Sequence, residues 1–228
     1  MSEIHVIDAD RIDTPVSAML VDFMARAKTG LHIAPVPQSF DPDYLPPHGD
    51  HQLADNIAPA DGRLHKPAAV LVPIVAHDET PTMLLTRRSA QLRAHSGQIA
   101  FPGGRIDETD RNPCAAALRE AHEEVGLEAR YVTPLGYLDP YLTGTGYRIV
   151  PVVALVDPVA PIMPDPAEVE AAFEVPLAFL MDEANHRRDS REFRGALRHY
   201  YAMPYEDHYI WGATAGILRN LYERLYAK

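Results

Sequence analysis

The 228-residue sequence has little of several features that would define its class. It holds a single cysteine, Cys114, which excludes an internal disulfide. Its longest nearly apolar run, at 68–76, is far shorter than the ~20 residues that cross a bilayer. The first fifteen residues lack the basic region and apolar run of a signal peptide. We therefore expect a cytoplasmic protein with no membrane partner.

Basic residues are also scarce relative to acidic ones. Lys and Arg number 21 against 32 Asp and Glu, which gives a net charge of −11. A nucleic-acid-binding domain needs a basic face to neutralise phosphates. We therefore expect no nucleic-acid partner. Apolar residues make up 46% of the chain, enough for one domain with a sizeable core.

The start of the chain differs in pattern from the rest. Residues 15–28 place apolar side chains at helical spacing, and Gly30 is a suitable stop. Residues 31–65 are rich in Pro and Asp, which predicts an irregular connector that packs on the domain or shields an edge. We divide the chain into an N-terminal helix with a Pro-rich irregular extension, 1–65, and a second domain, 66–228.

The second domain mixes predicted strands with a few helices, which indicates an α/β or α+β fold. The predicted strands are 68–77, 82–89, a short broken one within 97–106, 131–142, 147–158 and two runs within 193–214. The predicted helices are 113–125, both sides of a break at Val175–Pro176 within 166–182, and an amphipathic one at 214–228. The first of these has Asn112 as N-cap and Gly126 just past its end.

The stretch "LREAHEEVGL", 118–127, crowds three glutamates onto one arc of that helix: Glu120, Glu123 and Glu124. Like charges at this spacing repel, and Mg²⁺ prefers carboxylate and phosphate oxygens. A shared metal would explain the crowding. From the helix alone, a solvated acidic face with Arg119 and His122 as counter-charges is an equally good interpretation.

The preceding "FPGGRIDETD" adds a Gly-Gly turn and further acids, and together the two stretches resemble the Nudix box. The matching positions are Gly104, Asp110, Arg119, Glu120, Glu123, Glu124 and Gly126. The sequence departs from the box twice, because Asp110 replaces a glutamate and eight residues rather than seven separate it from Arg119. The coenzyme A pyrophosphatase branch is similar in both respects.

The segment 84–104 resembles the signature found upstream of the box in that branch. Its matching residues are Arg88, Ser89, Arg93, Gly97, Phe101, Pro102 and Gly103. Arginine forks suit the phosphates of coenzyme A, although surface salt bridges are the alternative for these arginines. We predict that the second basic cluster, 186–199, is a solvated hairpin rather than a phosphate clamp, and that Tyr141 and Tyr147 fill core rather than stack on adenine.

The resemblance implies a Nudix fold, an α/β/α sandwich with a mixed β-sheet, and hydrolysis of coenzyme A to 3′,5′-ADP and 4′-phosphopantetheine. Glu120 and Glu124 would bind Mg²⁺ or Mn²⁺, with Glu123 as a further ligand or holding metal-bound water. The Gly104 carbonyl would complete the shell, and Arg119 would hold the glutamates in place. The substrate-binding candidates are Arg88, Ser89, Arg93, Gly97, Phe101 and Gly103.

The general base is left open by the sequence. It is either a box glutamate such as Glu123 or a later loop acid, with Glu168 favoured over Glu170 and Glu174. These last acids could equally be favourable charges at a helix start.

Two further functions stay open as alternatives. One is hydrolysis of another nucleoside diphosphate derivative, such as ADP-ribose or NADH. The other is a non-catalytic nucleotide-binding Nudix domain, although such domains typically lose box glutamates and this chain keeps all three. A zinc peptidase is excluded because "HEEVG" lacks the second histidine of its motif. The sequence does not decide whether acyl-coenzyme A is also a substrate or whether the protein forms a homodimer.

Overall fold

The computed structural model describes residues 17–41, 43–53, 65–92, 95–193 and 196–227. No helix within these residues is long and apolar enough to cross a membrane. The helices are α1 (Ala18–Gly30), α2 (Pro113–Val125), α3 (Leu177–Leu180) and α4 (Ala213–Leu225). The first strands are β1 (His48–Gly49), β2 (Lys66–Val75), β3 (Thr82–Arg88), β4 (Ile99–Ala100), β5 (Gly103–Arg105) and β6 (Val132–Tyr137). The others are β7 (Tyr141–Leu142), β8 (Tyr147–Val156), β9 (Val169–Pro176), β10 (Arg187–Phe193), β11 (Ala196–Tyr205) and β12 (His208–Trp211).

Nine of the described strands form one mixed sheet around β2 and β8, which pair in parallel over ten residues. β3 and β5 pair antiparallel with β2, while β6 and β7 pair antiparallel with β8. β4 and β9 pair antiparallel with β3. The mixed sheet predicted from the sequence is therefore confirmed.

Helices cover both faces of this sheet, and β2 therefore buries side chains on each face. Val72 and Ile74 join a core with α1 and α4, while Ala69 and Leu71 join a second core with α2. Successive strand residues point to opposite faces, so one strand serves both cores. The result is the three-layer α/β/α sandwich that the sequence predicts.

The N-terminal segment belongs to the first of these cores. α1 begins at Ala18, three residues after the predicted start, and ends at the predicted Gly30; residues 15 and 16 lie outside the described residues. Within the predicted connector, β1 pairs in parallel with β7 and so covers that edge of the sheet. Residues 54–64 of the connector lie outside the described residues.

The prediction of a helix before the Val175–Pro176 break is wrong, because residues 169–176 form strand β9. Glu and Ala in this stretch are good helix formers, and they suggested a helix. The odd positions Val169, Phe173 and Val175 nevertheless give a period of two, and the edge of β3 supplies the backbone partners. Pairing with a neighbouring strand therefore outweighs local propensity. The predicted helix after the break is confirmed as the single turn α3.

A separate three-stranded antiparallel sheet joins β10, β11 and β12. β10 and β11 make the hairpin predicted for the second basic cluster, and residues 194 and 195 between them lie outside the described residues. β12 leads directly into α4 through Gly212, whose φ of 67° suits glycine. This sheet packs beside β4 and α4 and so borders the open end of the main sheet.

Candidate active site

Helix α2 presents the three glutamates, and its ends are fixed by local chemistry. The Asn112 side chain accepts a hydrogen bond from Ala115 N at 2.8 Å. Gly126 adopts the left-handed conformation at φ 67°, and its N–H donates to His122 O at 2.9 Å. The helix boundaries predicted from the sequence are thus confirmed. The buried face consists of small residues, so α2 lies close to β2 and β5.

Glu124 is the buried member of the glutamate set, with 2% of its surface exposed. Its Oε2 accepts a hydrogen bond from Gly103 N at 3.0 Å, and its Oε1 lies 3.4 Å from Arg88 Nη1. Burial raises the pKa of Glu124 to about 7, and the carboxylates of Glu120 and Glu168 raise it further. Gly103 and Arg88 only partly offset that cost. A carboxylate with a pKa this high favours a cationic partner.

Glu120 lies directly against Gly104 of strand β5. A Cβ atom at Gly104 would stand 2.5 Å from the Glu120 carboxyl carbon, so a larger residue would displace this carboxylate from its position. Burial raises the pKa of Glu120, and Glu123 and Glu168 add to that effect against the opposing Arg119. Glycine at position 104 therefore leaves space for the Glu120 carboxylate.

Arg119 connects most of the acids of this helix. Its Nη1 donates to Glu120 Oε1 and to Glu123 Oε2, both at 2.9 Å. Its Nε and Nη2 donate to the two Asp110 oxygens at 3.1 and 2.9 Å. Through this fork Arg119 lowers the pKa of Asp110. The shorter side chain at position 110 therefore still reaches Arg119 despite both departures from the box.

Of the three later acids considered as a base, Glu168 lies nearest the glutamates. It is exposed, and its negative charge raises the pKa of both Glu120 and Glu124. Its carbonyl oxygen accepts from Ser89 N at 2.8 Å, which ties its loop to the end of β3. Glu170 instead pairs with Arg87 at 3.9 Å, and Glu174 bonds His77 at 2.7 Å. These two rivals are engaged elsewhere.

The donor set suits a divalent metal ion, because hard dications such as Mg²⁺ prefer carboxylate oxygens. Burial raises the pKa values of the half-buried Glu120 and the buried Glu124, and neighbouring carboxylates raise both further. A dication would relieve that repulsion. Gly104 lies beside Glu120 without a side chain to obstruct a ligand. Within the described residues, no three His, Cys, Asp or Glu side chains converge as a ready-made metal cluster. The glutamates instead bond Arg88, Arg119 and Gly103.

Gly103 and Gly104 also line a pocket of about 380 Å³, and Glu120, Glu123 and Glu124 are not among the described residues that line it. Three of the upstream candidates, Arg88, Phe101 and Gly103, line it. Two others serve the backbone, because Ser89 is buried and contacts the Glu168 loop, while Gly97 N donates to Arg88 O at 3.1 Å. Arg93 lies outside the described residues. The upstream segment thus supplies side chains that line the pocket and residues whose backbone hydrogen bonds hold that part of the chain in place.

The pocket also contains residues that the sequence reasoning missed. Both Arg191 and Arg198 of the hairpin line it, together with Tyr200, Trp211 and Asp50. A signal was available in the sequence, because the stretch "YIWGATAGIL" at 209–218, which includes Trp211, also resembles the coenzyme A pyrophosphatase branch. Of the two tyrosines predicted as core, Tyr141 is buried, while Tyr147 is half-buried and lines the pocket. The core prediction is therefore confirmed for the first and wrong for the second, because the turn at 143–146 directs Tyr147 toward the opening.

Comparisons with known proteins match this chain to Nudix proteins. A family model described as NUDIX domain matches residues 65–197. The uncharacterised Nudix hydrolase NudL of Escherichia coli K12 is 44% identical over 157 residues, which make up 69% of this chain and 81% of NudL. NudL of Shigella boydii serotype 18 matches with the same values.

Solved structures also match, at low sequence identity. DR0079 from Deinococcus radiodurans has a TM-score of 0.46 and 14% identity, and the match covers 73% of this chain and 90% of DR0079. The Nudix hydrolase RenU from M. smegmatis has a TM-score of 0.43 and 25% identity, with 54% of this chain and 77% of RenU covered.

Proposed function

Because the chain belongs to the Nudix hydrolase family, and is thus a pyrophosphohydrolase of a nucleoside diphosphate derivative, we propose that its substrate is coenzyme A. Water would cleave the diphosphate to release 3′,5′-ADP and 4′-phosphopantetheine. Acyl-coenzyme A, which differs only at the distal thiol, would be accepted by the same diphosphate site.

The observation that carries this proposal is the position of Arg88. This residue of the upstream signature lines the pocket and lies 3.4 Å from Glu124 Oε1. An arginine that touches both the buried glutamate and the pocket can hold a diphosphate oxygen beside that glutamate. Phe101 and Gly103 of the same signature line the adjoining wall. In this proposal, the segment that resembles the coenzyme A branch would lie beside the diphosphate.

The metal in this proposal is Mg²⁺ or Mn²⁺, held by Glu120 and Glu124 with Glu123 and the Gly104 carbonyl as further ligands. When bound, such an ion neutralises the diphosphate and lowers the pKa of water. The chain's own residues prepare that site. Arg119 fixes Glu120 and Glu123 through two hydrogen bonds of 2.9 Å, and Gly103 N holds Glu124 Oε2.

We assign the general base to Glu168. Its carboxylate would take the proton from the attacking water, because its charge already acts on Glu120 and Glu124. Its exposure leaves it open to water, and the hydrogen bond from Ser89 N keeps its loop at the end of β3. Glu123 is the alternative, since it too is exposed at the same edge of α2.

Product analysis tests the substrate. The purified protein is incubated with coenzyme A, acyl-coenzyme A, ADP-ribose or NADH, with Mg²⁺ or Mn²⁺ and with a chelator as control. Chromatography should show 3′,5′-ADP and 4′-phosphopantetheine from coenzyme A, at a kcat/KM at least about tenfold above the value for ADP-ribose. A clear preference for ADP-ribose would instead select the other substrate class, and binding without turnover of any compound would favour the non-catalytic alternative.

A further inference from the structure

Two arginines stand directly opposite each other in the β10–β11 hairpin. Arg191 and Arg198 are Cα partners in the antiparallel register. Side chains of directly opposed residues lie on the same face of a sheet, and like charges in that arrangement repel. Two guanidinium groups at one rung therefore place two positive charges on the same face of the hairpin.

Both arginines face the pocket beside Gly103 and Gly104. The Arg191 guanidinium lies 4.5 Å from the centre of the Trp211 ring, which limits its orientations. Trp211 is in turn braced edge-on by Tyr200 at 5.2 Å. Gly212, which precedes α4, and the first residues of α4, Ala213 and Thr214, also line the pocket, so the positive end of that helix dipole borders it.

The charge of the pocket is opposite to that of the protein. The described residues that line it include four arginines, Arg88, Arg105, Arg191 and Arg198, against the single acid Asp50. The oxygens of Asp50 accept hydrogen bonds from Tyr141 at 2.8 Å and from Gly144 N at 2.7 Å, so this acid serves the pocket wall. In a chain with net charge −11, this concentration of arginines makes the pocket a local anion site.

We propose that Arg191 and Arg198 form a subsite for a phosphate monoester on the ribose of the nucleotide substrate. This rests on the proposed function, since coenzyme A carries such a 3′-phosphate in addition to its diphosphate. The diphosphate lies against Arg88 and Gly104, and the monoester lies across the pocket against the hairpin. A dianion between the two arginines would accept charge-assisted hydrogen bonds from both guanidinium forks.

The subsite makes the hairpin a specificity device. Nucleotides that carry a ribose phosphate engage both walls of the pocket, while nucleotides without it engage only the wall that bears Arg88. The hairpin predicted from the sequence is confirmed, and two of its arginines line the pocket. Its phosphate-binding role is part of the present proposal. Arg188, on the opposite face of β10, lines a different pocket with Arg219 and Glu223.

Binding measurements test this subsite without turnover. Isothermal titration compares adenosine 3′,5′-bisphosphate with AMP on the full chain. The wild type should bind the bisphosphate between about 10- and 100-fold more tightly than AMP, as charge-assisted hydrogen bonds allow. The R191Q/R198Q double variant should lose that preference while its affinity for AMP changes less than about threefold. R188Q removes one arginine from the other face of β10 and should keep the preference.

The outcomes separate this proposal from the proposed function. Equal binding of bisphosphate and AMP by the wild type overturns the subsite, whatever the enzyme hydrolyses. A preference that survives in a folded R191Q/R198Q protein, checked by circular dichroism, overturns the assignment to these two arginines. A preference lost only in that variant supports the subsite even if coenzyme A proves not to be a substrate.

Discussion

Glu124 is a buried carboxyl group held between Gly103 N–H and Arg88. Replacement by glutamine keeps its size and its capacity to accept from Gly103, but removes the charge that a metal needs. We expect E124Q to lose metal-dependent turnover by at least about 100-fold while its melting temperature stays close to that of the wild type. Initial rates with Mg²⁺ and a thermal melt check both. A fully active E124Q protein would remove the basis of the metal site.

Glu168 and Glu170 offer a matched pair two residues apart. E168Q should lower kcat by about 10²- to 10⁴-fold with little change in KM, because it removes the proposed proton acceptor. E170Q should retain turnover, since Glu170 pairs with Arg87 instead. Steady-state kinetics on both variants, with a pH–rate profile for E168Q, make the comparison. If E168Q kept its kcat, the base would have to be sought at Glu123.

His186 is a half-buried imidazole in which one nitrogen has a hydrogen-bond partner. Its Nε2 bonds Leu180 O at 2.7 Å, and its Nδ1 finds no partner among the described residues. Burial lowers the pKa of His186 below its usual 6.5, with Arg219 adding to that effect. The folded state therefore binds fewer protons than the unfolded state, and stability present above pH 6.5 is lost as the pH falls through the folded pKa.

Urea unfolding of wild type and H186Q tests this sign. Between pH 6.5 and 5.5 the wild type should lose more free energy of unfolding than H186Q, by at most about 1.4 kcal/mol for one proton. Between pH 7.5 and 8.5 the free energy of unfolding should change by the same amount in both proteins, which serves as the control. Equal losses on acidification would assign the acid sensitivity to other groups.

At the scale of elements, the connector before β2 reaches the pocket through Asp50. The Asp50 oxygens bond Tyr141 OH and Gly144 N, and so fix the turn between β7 and β8. D50A leaves two donors without that acceptor, which should cost about 1.5–3 kcal/mol in unfolding free energy and raise KM several-fold. The exposed D43A serves as control and should change neither value. An unchanged KM in a destabilised D50A protein would show that the turn does not shape the pocket.

Elements whose ends are marked by their own residues could be predicted from the sequence. Elements that depend on pairing with a distant strand could not. The Asn112 side chain caps the start of α2, and Gly126 adopts the left-handed backbone conformation that ends it. Both signals are local to one residue, and the predicted bounds of α2 are confirmed. β9 has no such local signal strong enough to outweigh its Glu and Ala residues, because its stability comes from pairing with β3. The Arg191–Arg198 pair depends on hairpin register, which sequence spacing alone does not give.

At the scale of the whole molecule, the core extends beyond the matched family segment. Phe23 of α1 is fully buried in the core that contains α4, although the family match begins at residue 65. F23A should therefore lower the unfolding free energy by about 3–5 kcal/mol. M24A, whose side chain lies on the exposed side of α1 with 41% exposure, should change it by less than about 0.5 kcal/mol.

Chemical denaturation of the two variants measures that difference. Equal stability of F23A and wild type would mean that α1 contributes little to the core. The division of the chain at residue 65 stays a prediction, and this pair of variants bears on it directly. The sequence predicted the helix from its periodicity, but its partner could not be inferred, because α4 lies far along the chain.

The contact between α1 and α4 also has a kinetic side. Arg26 Nη1 donates to Leu225 O at 3.0 Å across 199 positions of the chain. At a synthesis rate of about 5–20 residues per second, α1 waits roughly 10–40 seconds on the ribosome before α4 exists. During that interval α1 lacks its contact with α4, although β6, its other neighbour, is already made. We therefore expect the docking of the first helix onto the last to be a late step of folding.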